Sequence, residues 1–108
     1  MIPGNLFKLP NPRPATEQFD LLFPDKGVKI ERIISTGQNT PPGDWYDQER
    51  DEWVALLQGE ARLRFQDDRT LNLKPGNYVL IPAHEKHRVD FTSSDPPCIW
   101  LAVHGSLS

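Results

Sequence analysis

Only one cysteine, Cys98, occurs in 108 residues. No internal disulfide can form, and a lone thiol on an apolar strand reads as a small buried hydrophobe. No apolar run approaches the roughly 18 residues of a membrane span. The segment Met1 to Arg13 lacks the charged and then apolar stretches of a secretory leader. Basic residues are few and scattered: 12 Lys and Arg stand against 15 Asp and Glu, for a formal charge of -3. Without a basic stripe, nucleic acid is not an expected partner. Nucleophile elbows, phosphate-cradling glycine loops and Cys-x-x-Cys pairs are all missing, and the serines cluster in loops and tail, which argues against a nucleophilic hydrolase. No helix-period segment exceeds about two turns, and no solenoid repeat is present. These absences lead us to expect a cytoplasmic protein with no membrane association.

Proline is abundant, at 11 residues. Each proline removes a ladder donor and fixes φ, so prolines falling between apolar runs suit many short strands. Hydrophobic residues make up 37% and charged residues 25%, the balance of an ordinary globular chain. A domain of this size buries roughly two thirds of its unfolded surface, so it folds alone with little margin and would gain from a second copy covering an apolar face. The periodicity predicts strands near Leu6–Leu9, Glu17–Phe23, Val28–Ser35, Glu52–Gln58, Ala61–Phe65, Leu71–Lys74, Tyr78–Ile81, His87–Thr92 and Cys98–His104. In the third of these, which alternates loosely, Val28 and Ile30 are expected to face inward, with Ile33 as a further candidate. Glu52–Gln58 is apolar on both faces, Val54 and Leu56 on one and Trp53, Ala55 and Leu57 on the other, which calls for cover on both sides. Between Thr36 and Asp51 runs a long irregular segment with two aromatics, Trp45 and Tyr46, and loops of this length are often functional. Short strands with turns about every ten residues leave a sandwich or a barrel.

Two segments carry a family pattern. Glu52 is followed by Gly59 seven positions on, and Gly76 by Pro82 six positions on, with His87 closing the second segment. In order and at this separation, they resemble the two motifs of the cupins. The resemblance implies an all-β fold, a conical jelly-roll barrel with little or no helix. It would divide the chain into an N-terminal arm with the first strands (residues 1–27), the barrel (28–104) and a short tail (105–108). The resemblance also implies a divalent ion, iron, manganese, zinc or nickel, held inside the barrel by three histidines and a glutamate. Only Glu52 and His87 match that set. The first-motif histidine pair is replaced by Tyr46 and Gln48 or, in the other register, by Trp45 and Asp47. The second-motif glycine is His84.

The candidate catalytic pair is therefore Glu52 and His87, with Gln48 or Asp47 as additional metal ligands and Trp45, Tyr46, His84 and Phe91 as ligand-binding residues. Strand pleating places Glu52 beside Val54 and Leu56, and His87 beside Val89 and Phe91, all on core-facing sides. An inward carboxylate and imidazole need each other, an ion or a polar ligand, because unpaired buried charge is costly. Two functions are compatible with this pattern. One is an enzyme, metal-dependent or using Glu52 and His87 for proton transfer, of isomerase, lyase or dioxygenase type on a small sugar or organic acid. The other is a metal-free module that binds or senses a small molecule. A homodimer is expected from the doubly apolar strand.

Overall fold

The computed structural model describes residues 1–108. Eight strands form in chain order: β1 (Gln18–Leu21), β2 (Lys29–Ser35), β3 (Asp51–Gln58), β4 (Ala61–Phe65), β5 (Thr70–Leu73), β6 (Tyr78–Ile81), β7 (His87–Thr92) and β8 (Cys98–Gly105). There is no helix, and so none long and apolar enough to cross a membrane. The strands build two antiparallel sheets, β1-β2-β8-β3-β6 and β5-β4-β7. The all-β jelly roll expected from the sequence is the fold observed.

Alternation decides which side chains meet between the sheets. The core joins Val54, Leu56, Trp100 and Ala102 of the larger sheet to Ala61, Leu63, Phe65 and Leu73 of the smaller, with Ile81 and Cys98 at its edges. Leu56 is fully buried, a contribution of roughly 2 kcal/mol from one side chain. On β4 the intervening Arg62 and Arg64 point outward, and Arg64 donates to Asp90 at 2.6 Å.

Three local expectations are corrected. Residues 6–9 form a turn rather than a strand, with Lys8 N–H donating to Asn5 C=O at 3.1 Å. This arm instead lies against β2, where the Arg32 guanidinium donates to the carbonyls of Leu6 (3.2 Å) and Lys8 (2.7 Å). In β2 the inward set is Glu31 and Ile33, not Val28 and Ile30: Glu31 pairs with Ala102 and Ile33 with Trp100, both core residues. In β7 a register shift sets Arg62 opposite Phe91 but Leu63 opposite Val89. The extra residue breaks the two-residue period, so Phe91 leaves the His87–Val89 side and is 46% exposed.

The large sheet presents a second apolar face outward. Trp53 sits beside Leu80 and Val103, and Ala55 beside Tyr78 and Leu101, with Tyr78 67% exposed.

Candidate functional site

A cavity of about 760 Å³ opens between the sheets, with Val54, Leu63, Ile81 and Trp100 among its apolar walls. Its polar floor comes from four strands. β2 supplies Glu31, β3 Glu52, β7 His87 and β8 His104, and all four are buried. Register explains the meeting: Glu52 lies opposite His104 on one side and Ile81 on the other.

The Glu52 carboxylate lies between two imidazoles. Its Oε1 is 3.6 Å from His87 Nε2 and its Oε2 is 3.6 Å from His104 Nε2. His104 Nε2 also meets Glu31 Oε1 at 3.1 Å. A continuous acid–imidazole chain, Glu31–His104–Glu52–His87, thus crosses the floor. On its far side His87 Nδ1 meets the Glu85 carbonyl at 2.9 Å. A carbonyl only accepts, so Nδ1 carries a proton and Nε2 is the atom that exchanges one with the cavity. Burial pulls the His87 pKa down, but the adjacent Glu52 carboxylate and the Glu85 carbonyl outweigh it, and the net shift is upward.

The loop before β3 completes the wall. Tyr46 and His87 exchange backbone hydrogen bonds of 2.7 and 3.1 Å, and the tyrosine ring stacks on the imidazole at 5.6 Å between centroids. Burial, and then Glu17 and Glu52, push the Tyr46 phenol upward. Two residues on, Gln48 Nε2 faces Glu52 Oε1 at 3.5 Å. Its Oε1 is shut off from water without a hydrogen-bond partner. Glu17, at the cavity wall, accepts from Ser35 Oγ at 2.6 Å. Burial raises its pKa against the Ser35 bond, and Glu31 raises it further.

Of the residues singled out from the sequence, the fold brings Tyr46, Gln48, Glu52 and His87 to the cavity. The register of the first motif is therefore 46/48. Trp45 and Asp47 point elsewhere: Trp45 lies under the Arg88 guanidinium, and Asp47 meets His84 Nδ1 at 2.8 Å. His84 and Phe91 lie outside the cavity wall. Glu31, His104, Glu17 and Lys29 are cavity residues that the sequence reading did not assign. His104 was accessible to it, since it shares a face with Trp100 and Ala102. Glu31 was hidden because Ile33-Ile34 makes either phase of β2 plausible.

Residues 33–104 match the cupin domain family. The chain belongs to the cupin family. Across nearly its whole length, this cupin is 43% identical to a Ralstonia eutropha JMP134 protein provisionally assigned as a mannose-6-phosphate isomerase, with a TM-score of 0.90 and coverage of 99% of this chain and 100% of that one. A cupin superfamily protein of Desulfitobacterium hafniense DCB-2 shares the fold at 22% identity and a TM-score of 0.71, over 96% and 100% of the two chains. The RCS-specific HTH-type transcriptional activator RclR of Escherichia coli K12 is 38% identical over 47 residues. That match spans 44% of this cupin and 16% of RclR. With this fold and a lined cavity, the cupin is a small-molecule enzyme or binder.

The metal site implied by the family resemblance does not fit these residues. No three His, Cys, Asp or Glu side chains are arranged to hold an ion. The position that would carry an imidazole is Gln48, a neutral amide, and Asp47 is turned toward His84. The floor groups already oppose one another as carboxylate–imidazole pairs.

Proposed function

We propose that this cupin catalyses proton transfer on a small hydroxy-carbonyl compound, an isomerase-type reaction that needs no metal. The observation that carries the reading is the Glu52–His87 pair, buried and inward at 3.6 Å. The Glu52 carboxylate takes the proton from the carbon next to the carbonyl. Protonated His87 gives the Nε2 proton to the carbonyl oxygen, and the product is an enediol. Reprotonation of the neighbouring carbon from Glu52, with His87 recovering a proton from the other hydroxyl, completes the shift. His104 stands 3.6 Å from the second oxygen of Glu52 and Tyr46 stacks on His87, so both acting groups have fixed neighbours before substrate arrives. The name of the Ralstonia eutropha relative supports isomerase chemistry.

The test is solvent deuterium incorporation at the carbon next to the carbonyl of unphosphorylated aldoses and ketoses, followed by NMR. Incorporation should depend on the protein, survive exhaustive chelation and vanish in Glu52→Gln and His87→Gln. Its loss on chelation, or its persistence in both variants, would contradict the proposal.

A second reading, a metal-free sensing module, draws on the RclR match. It would show ligand-induced thermal stabilisation without any deuterium incorporation. We further propose that two copies pair through the outer face around Trp53, Tyr78 and Leu80. Light scattering should then give a dimer for the parent and a monomer for Trp53→Glu.

A further inference from the structure

The charges around the cavity are unevenly matched. Four carboxylates line it, Glu17, Glu31, Glu49 and Glu52, against two permanent cations, Lys29 and Arg50. Both cations are engaged. Arg50 makes two bonds to Asp25, at 3.0 and 3.2 Å, and Lys29 approaches Glu31 at 3.9 Å. Each imidazole likewise faces a carboxylate, His87 at 3.6 Å and His104 at 3.1 Å. Even with both rings protonated, no cation is left to receive an anionic group. An anion entering this space would have to compete with carboxylates for every positive group, at a wall where carboxylates outnumber permanent cations four to two.

Hydrogen-bond capacity is unbalanced in the opposite sense. Gln48 Oε1 is a sealed acceptor with no donor. Its orientation is set by Glu52, because turning the amide would put Oε1 against the carboxylate that Nε2 now faces at 3.5 Å. A buried acceptor left unmet costs about 1–3 kcal/mol, and this one is closed to the cavity as well. Around these groups the cavity of about 760 Å³ has room for a small sugar-sized molecule.

We propose that the cavity selects uncharged polyhydroxy molecules and rejects their phosphate esters. This deepens the proton-transfer reading, which supplies the site, but the selectivity rests on the charge inventory alone.

NMR titration of the whole protein tests it, following the Gln48 side-chain amide and the His87 and His104 rings. The probes are D-mannose, D-glucose and D-ribose, each alongside its terminal phosphate ester, with inorganic phosphate as a further probe. At least one free sugar should move these signals, and its ester should bind at least about a hundredfold more weakly. Glu17→Gln should narrow the gap between sugar and ester. Tighter binding of an ester than of its sugar overturns the proposal, as do signals unmoved by all three free sugars. Proton transfer is decided separately, by deuterium incorporation and its loss in Glu52→Gln.

Discussion

Replacing Gly59 with alanine adds one carbon at the corner between β3 and β4, and its cost can be separated into parts. The backbone φ there is +90°, where an L residue's Cβ crowds its own carbonyl for about 1–2 kcal/mol. The new carbon would also lie 2.8 Å from Ser93 Oγ, 2.9 Å from Cys98 Sγ and 3.0 Å from Cys98 Cα. Overpacking of this kind costs about 1–3 kcal/mol. Alanine restricts the unfolded chain as well, which offsets about 0.4–1 kcal/mol. Gly43 provides the control, since its φ is +85° and nothing lies within 4 Å of an added Cβ. Subtracting the Gly43→Ala cost cancels the dihedral and unfolded-state contributions and leaves the clash, about 1–3 kcal/mol. Urea unfolding of the parent and both variants measures the difference from midpoints on a shared slope. In thermal unfolding each kcal/mol corresponds to roughly 4–8 °C at this chain size. Equal midpoints for Gly59→Ala and Gly43→Ala would refute the reasoning, because the packed corner would then add nothing.

Two further predictions concern the groups around the motif. Asp51 accepts from the backbone N–H groups of Ala83, Leu107 and Ser108 and from the Ser108 hydroxyl, which lowers its pKa from 3.8 to about 2. The fold thus favours the ionised form, so this contribution is complete above pH 3.8 and fades as pH falls toward 2. Acid unfolding should show Asp51→Asn less stable than the parent at neutral pH, with the two converging across that window. His84 occupies φ +65°, the position of the family glycine. His84→Val should therefore lower the urea midpoint relative to the parent, because a β-branched residue is accommodated there less well than histidine.

Much of the fold was legible because the strands obey the two-residue period and prolines mark their ends. Glu52 and His87 were placed on core-facing sides by the same alternation, since Glu52 precedes Val54 and Leu56, and His87 precedes Val89, on the same face. Phe91 failed for a local reason. The extra residue in β7 is invisible in a run of alternating side chains, and only pairing with β4 exposes it. Glu31 failed because β2 is apolar in both phases: Ile34 is fully buried on one side while Ile33 lines the cavity on the other. The choice between the Tyr46/Gln48 and Trp45/Asp47 registers could not come from periodicity, because the segment is a loop. It is settled by the backbone bridge between Tyr46 and His87, a contact between residues far apart in sequence.

The measurement closest to the central claim follows the His87 ring by NMR across pH, in the parent and in Glu52→Gln. The carboxylate 3.6 Å away should hold the parent ring's pKa above the ordinary histidine value of 6.5. Its removal should bring that pKa down, since burial then acts against less opposition. An identical titration in both proteins would contradict the account, because Glu52 would not be governing the proton on His87.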